Sequence, residues 1–171
     1  MADAPVDELG RPLADHEGLL EVLAGHGVEF LVAGGLAVIL HGYLRLTVDL
    51  DVVPCPAEPN MQRLAAALSD LDASAVDAGG GRLPLDLSHP VSLAVGNYFL
   101  VTRLGALDLL NGPRPDLKRY RRLEADAVEV EFGGDEVKVV SKSDLIAMKR
   151  EAGRPKDLRD IAALTEVERN P

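Results

Sequence analysis

The 171-residue chain has no tryptophan, only three phenylalanines and three tyrosines, and a single cysteine. With so few aromatics, its core has to be assembled from Leu, Val, Ile and Ala. Cys55 has no partner within the chain, which excludes a disulfide-stapled scaffold. Four histidines and one cysteine offer no zinc-binding spacing. The longest apolar stretch, Phe30 to Leu40, is interrupted by Gly34 and Gly35 and falls far short of the roughly 20 residues that cross a bilayer. Met1 to Asp15 is acidic and lacks the basic start and apolar run of a secretory signal. A cytoplasmic protein with no membrane association is expected. A Walker A lysine motif, a dinucleotide fingerprint and a serine nucleophile elbow are all missing, and Gly79-Gly80-Gly81 lacks the strand and helix such motifs require.

Positive charge is also scarce. The formal net charge is -10, opposite in sign to that of a general nucleic-acid binder. The deficit is uneven: from Arg114 to Arg159 there are 12 basic and 10 acidic residues, so a polyanion would meet the C-terminal part first. The length and the 47% hydrophobic content suit one domain with a sizeable core. We expect a single unit over 1–171, with a core of about 16–140 and a C-terminal helical part of about 141–169.

Periodicity orders the elements. Helical spacing runs over His16 to Ala24, with Leu19, Leu20 and Leu23 on one face. Glu29 to Ala33 reads as a short buried strand, Gly34-Gly35 as a tight turn, and Leu36 to His41 as a short apolar helix. Leu46 to Val53 alternates as a strand that Pro54 and Pro56 close, and Pro59 to Leu71 is a helix. Asp77 to Pro90 is an irregular Gly/Pro-rich stretch with a mobile loop at Gly79-Gly80-Gly81. Asn97 to Thr102 and Gly105 to Leu110 are apolar strands, and Asp116 to Leu123 is a short basic helix. Val128 to Phe132 and Val137 to Val140 flank a hairpin turn at Gly133-Gly134-Asp135-Glu136. Ser141 to Ala152 and Pro155 to Arg169 are helices. This mixture of strands and helices is α/β or α+β.

Side chains alternate along a strand, so Asp49 and Asp51 share a face while Leu50 and Val52 point into packing. Two carboxylates about 7 Å apart repel unless something neutralises them. A divalent cation does so: Mg²⁺ is commonly held by one or two carboxylates plus substrate phosphates. A pair of such ions clamps both oxygens of a phosphoryl or nucleotidyl transfer. A lone Asp-x-Asp is more often a solvated sheet face. Here, however, a strand, a Gly-Gly pair and a helix start stand thirteen residues before it. Glycines allow close backbone approach, and a helix start presents N–H groups to an anion.

The stretch Phe30 to Val53 (FLVAGGLAVILHGYLRLTVDLDVV) resembles the nucleotidyltransferase superfamily, specifically its AbiEii-like and MenT-like toxin branch. The resemblance implies the polymerase-β-like fold, a small mixed β-sheet flanked by helices. It also implies a phosphate site at Gly34 and Gly35, metal ligands Asp49 and Asp51, and a third acid on a neighbouring strand. Many members carry Ser directly after Gly-Gly, where this chain has Leu36. Asp108, the only acid in the run LGALDLL, fits the third position, where the resemblance implies that it completes the metal site with Asp49 and Asp51 and helps activate the attacking hydroxyl, with Asp86 in LPLDL as the rival. Lys149, Arg154, Lys156 and Asp157 match the branch's basic pattern in order. This implies that Lys149 and Lys156 approach a triphosphate and that Asp157 orients one of them or a substrate group. The alternative for these groups is helix capping and solvated faces.

Arg45 is a further candidate for phosphate, with an ion pair to a nearby acid as its alternative. Lys118-Arg119-Tyr120-Arg121-Arg122 is either an RNA-tracking cluster or a solvated helix face. His41 is either a base or a packed, hydrogen-bonded residue. The resulting expectation is an Mg²⁺- or Mn²⁺-dependent enzyme that moves a nucleoside monophosphate from an NTP to an acceptor. By resemblance the acceptor is tRNA and the protein a toxin with a cognate antitoxin. Transfer of AMP to a protein or to a small hydroxyl compound such as an antibiotic, and a non-catalytic nucleotide-binding module, stay open beside it.

Overall fold

The computed structural model describes residues 5–167. The last two positions of the expected final helix, Glu168 and Arg169, lie outside the described residues. Helix α1 is His16–Gly25, with its first turn capped by the Asp15 carboxylate accepting from the Gly18 N–H. Strand β1 (Phe30–Val32) leads into helix α2 (Gly34–Leu40), and β2 (Asp49–Pro54) into α3 (Glu58–Asp70). Strands β3 (Ser74–Val76) and β4 (Arg82–Leu83) follow, then a 3₁₀ turn over Pro90–Ala94. Next come β5 (Tyr98–Thr102), β6 (Gly105–Leu109), α4 (Leu117–Ala125), β7 (Val128–Phe132) and β8 (Asp135–Val139). Helices α5 (Lys142–Ala152) and α6 (Pro155–Val167) end the described chain.

The strands form one eight-stranded mixed sheet in the order β4-β3-β5-β6-β2-β1-β8-β7. β2 runs parallel to β6 and β1 parallel to β8, and the other neighbours are antiparallel. The expected mixed sheet flanked by helices is therefore present. α1 packs on α3, and α5 packs on both α2 and α6. The core is aliphatic, as the aromatic shortage requires: Leu19, Leu23, Leu50, Leu64, Leu68, Leu100, Leu107 and Leu109 are fully buried. Each such side chain contributes about 1.5–3 kcal/mol through removal from water. Among the described residues no helix is long and apolar enough to cross a membrane.

Three local readings change. The strand expected from Leu46 begins only at Asp49, and Leu46 is 92% exposed. The reason is the partner: the β6 ladder reaches Ala106 opposite Asp49 and offers nothing earlier. The Gly/Pro-rich stretch from Asp77 instead supplies the turn and second strand of a hairpin, β3 with β4, whose turn is tied by the Asp77 carboxylate accepting from the Gly79 and Gly81 N–H groups. Its strands are too short to leave a period. The β7–β8 turn is tighter than expected, with Gly133 and Gly134 alone at its tip, both at positive φ.

Candidate active site

Asp49 and Asp51 lie on one face of β2, with Leu50 and Val52 fully buried on the other. The parallel register sets Asp51 directly beside Asp108 on β6. One carboxylate oxygen from each of Asp49, Asp51 and Asp108 lies within 4.8 Å of the others. Three like charges at this separation in a half-buried place perturb one another. Burial, then the Asp49 charge, pushes Asp51 up to about 6, against the Gly35 N–H and the charges of Lys149 and Lys156. Burial pushes Asp108 up to about 7, against the Arg11 hydrogen bond, and Asp51 adds to the rise. The donor set is oxygen-only and carries excess negative charge, which fits a hard divalent cation such as Mg²⁺ or Mn²⁺. The rival Asp86 is elsewhere: it sits on an exposed loop, and hydrogen bonds from Ser88 hold its carboxyl below the ordinary range.

Close neighbours demand both glycines of the pair. Gly34 has φ +56, and a methyl group there would overlap the Asp51 carboxylate; one on Gly35 would overlap the Thr47 hydroxyl. The helix α2 opens at Gly34 itself, not after the pair, and the Gly35 N–H donates to Asp51 Oδ2 at 3.3 Å. Leu36 is 2% exposed and belongs to the core. The hydroxyl beside this turn is that of Thr47, which bonds the Asp49 main-chain and side-chain oxygens at 3.4 Å.

A cleft of about 800 Å³ opens over the triad. On the α2 side it is lined by Gly34, Gly35, Arg45, Lys149, Arg154 and Lys156. Three of these cations are anchored to acids. Lys149 Nζ lies 2.7 Å from Asp160 and 3.5 Å from Asp157, both buried. Arg45 pairs with Asp160 at 2.9 Å. Arg154 grips Asp157 with Nε at 2.7 Å and Nη2 at 3.2 Å. Burial works against the Asp157 charge, but the Arg154 hydrogen bond and charge prevail, so its carboxyl sits below the ordinary value. Lys156 is exposed and has no ion-pair partner among the described residues.

On the other side of Asp108 the cleft is lined by Asn97, Phe99, Asn111, Arg114 and Arg119. Phe99 pairs with Asp108 across β5 and β6, so the two share a sheet face, and the ring is 41% exposed. The basic cluster on α4 is largely engaged: Arg121 bonds Glu124, Arg122 bonds Asp144, and Arg119 bonds the Asn111 carbonyl. His41 bonds the Val140 carbonyl at 2.8 Å and packs outside the cleft.

The residue that sequence reasoning missed is Arg11. It is 3% exposed and comes from the segment before α1. Its Nη1 bonds both Asp108 and the Leu100 carbonyl, Nε bonds Asp7 at 2.7 Å, and Nη2 lies 3.8 Å from Asp49. Burial works against its charge, but Asp108 and then Asp7 more than offset this and raise its pKa above the ordinary value. Only the turn-like Gly10-Arg11-Pro12 hinted at order there. No spacing connects it with residues a hundred positions away.

No protein-family model matches the chain, and no curated protein matches it either. Solved structures do. The lincosamide antibiotic adenylyltransferase LnuA, in its lincomycin-bound crystal structure, superposes with a TM-score of 0.58 at 16% identity, over 90% of this chain and 97% of that one. An antigenic nucleotidyltransferase-like protein from Paracoccidioides brasiliensis superposes with a TM-score of 0.56 at 19% identity, over 89% of this chain and 74% of that one. The fold is therefore that of nucleotidyltransferases.

Proposed function

We propose that the protein is a metal-dependent nucleotidyltransferase that moves a nucleoside monophosphate from an NTP to the hydroxyl of a small molecule. The observation that carries this is the convergence of Asp49, Asp51 and Asp108 on a cleft with cations along one wall and an aromatic, two amides and two arginines along the other. Asp49 and Asp51 would hold the divalent cation, Mg²⁺ or Mn²⁺. When bound, such an ion neutralises phosphate charge and acidifies the attacking hydroxyl. Lys156, with Lys149, Arg154 and Arg45 behind it, supplies positive potential to the triphosphate. Asp157 and Asp160 position those side chains. Gly34 and Gly35 keep the wall bare, so that phosphates approach the backbone.

Asp108 faces the acceptor side and takes the hydroxyl proton at a carboxylate oxygen. The hydroxyl oxygen forms a bond to the α-phosphorus, the bond to the bridging oxygen breaks, and pyrophosphate leaves with that electron pair.

The reading of a small acceptor is supported by the other wall. A tRNA acceptor calls for a long basic track at the cleft; of the α4 arginines, Arg121 and Arg122 are paired with acids within the protein, which leaves Arg119 and the neighbouring Arg114 at the cleft. The net charge of -10 points the same way. The LnuA neighbour, described as a lincosamide antibiotic adenylyltransferase, supports an acceptor of the antibiotic class. The test is incubation of the full chain with each α-labelled NTP and Mg²⁺, separately with tRNA, with protein and with hydroxyl-bearing antibiotics including a lincosamide. Label is expected on a small acceptor and is lost in a folded Asp49→Ala variant. Label on tRNA alone would restore the toxin reading and with it an antitoxin partner. NTP binding without transfer to any acceptor would make the protein a non-catalytic module.

A further inference from the structure

The segment before α1 brings one side chain into the triad and is bolted down to do so. Asp7 Oδ1 accepts from the Leu9 N–H at 2.9 Å and the Arg11 N–H at 2.8 Å, which closes a turn around Arg11. The Asp7 N–H donates back to the Arg11 carbonyl at 2.8 Å. The chain then runs along the sheet: the Ala106 N–H bonds the Pro12 carbonyl at 3.0 Å, the Ala14 N–H bonds Val48 at 2.9 Å, and the Asp15 N–H bonds Leu104 at 2.8 Å. Gly105, at φ +99, has no Cβ because the Leu13 backbone lies where it would go. Arg11 is thus presented by backbone on both sides of it, unlike a long side chain that has merely folded over a charged surface.

Within the triad its contacts are unequal. Asp108 is bonded directly to the guanidinium, whose carbon also lies 6.0 Å from the centre of the Phe99 ring. Asp49 is 3.8 Å from Nη2, and Asp51 has no cation within ion-pair distance among the described residues. Asp108 is therefore bonded to its counter-charge, Asp49 has the same cation only at the edge of ion-pair distance, and Asp51 has none among the described residues.

We propose that Arg11 is a resident cation standing in for one of the two metal ions that a three-carboxylate site of this kind can hold. The inference rests on the nucleotidyl-transfer reading. The site then works with a single divalent ion on Asp49 and Asp51. Arg11 meets the charge of Asp108 and keeps Nη2 turned toward the space above Asp49. A guanidinium is suited to this place: its planar fork bonds two carboxylates at once and never loses its charge.

Electron paramagnetic resonance distinguishes one ion from two, since a pair of Mn²⁺ ions roughly 4 Å apart is spin-coupled and gives a spectrum unlike that of an isolated ion. The full chain is loaded with excess Mn²⁺ and an α,β-methylene NTP analogue. The wild type and Arg11→Lys are expected to show an isolated bound ion, and Arg11→Gln a coupled pair. A coupled pair in the wild type overturns the proposal and leaves nucleotidyl transfer standing. So does an isolated ion in a folded Arg11→Gln chain. No protein-bound ion in any variant removes the nucleotidyl-transfer reading and this proposal together. Should Arg11→Gln fail to fold, the wild-type spectrum decides alone.

Discussion

Asp160→Asn tests whether the cations beside the cleft are held by a buried network. Asp160 is 3% exposed, lies 2.7 Å from Lys149 Nζ, and accepts from Arg45 Nη2 at 3.0 Å. Lys149 is 5% exposed, and its other acid, Asp157 at 3.5 Å, is already gripped by Arg154. Breaking a buried pair by removing one charge costs about 3–5 kcal/mol, because the remaining ion is left uncompensated in a poorly solvated place. Asparagine keeps one acceptor oxygen, and a neutral hydrogen bond recovers about 1 kcal/mol. The Arg45 side chain is 26% exposed, so solvent screens its loss to at most about 1 kcal/mol. The expected destabilisation is therefore about 2–4 kcal/mol, which lowers the melting temperature of a chain this size by roughly 5–15 °C. The chain has no tryptophan, so urea unfolding followed by circular dichroism is the assay. The double variant Lys149→Met with Asp160→Leu removes both charges and is expected to regain most of the loss. A loss under about 1 kcal/mol for Asp160→Asn, the size of a surface pair, would refute the buried-network argument.

Two further outcomes are expected. Asp51 and Asp108, raised to about 6 and about 7 from an ordinary 3.8, bind protons more readily folded than unfolded. Their contribution to stability is thus complete below the unfolded value and lost as pH rises through 6 and 7. The urea midpoint of metal-free protein should rise between pH 8 and pH 5.5, and Asp108→Asn should flatten that rise. Mn²⁺, which competes with protons for the same oxygens, should bind more weakly over the same interval, as calorimetry would show. A midpoint that falls over the interval contradicts the assignment. In the second, Gly34→Ala should cost about 2–4 kcal/mol, from the left-handed backbone plus the overlap with Asp51. Gly153→Ala has the same backbone sign at the end of α5 but meets only ordinary contacts, and should cost about 1–2 kcal/mol. Equal thermal shifts for the two would mean that crowding by Asp51 contributes nothing.

Much of this site was legible because it is local. Asp49 and Asp51 share a face through strand alternation alone, and Gly34, which makes room for Asp51, stands only seventeen positions before it. Asp108 stood out as the only acid in an apolar run, and β2 and β6 pair in parallel with Asp51 opposite it. The third-strand expectation came from a family resemblance and not from spacing.

The cationic wall was legible as residue types but not as states. Nothing in the order of residues reveals that Lys149 and Arg45 converge on Asp160, because α6 must first fold back along α5. Arg11 and Phe99 were invisible for the same reason.

By itself, then, the amino-acid order determined the alternation of strands and helices, the aliphatic core, the paired carboxylates on β2 and the bare glycine turn beside them. Each depends on residues a few positions apart, whose relative placement the backbone period dictates. Tertiary structure alone decided which charges are already satisfied and which remain for a ligand. Burial and partner are set by segments as distant as Arg11 and Asp108, and no period along the chain links them.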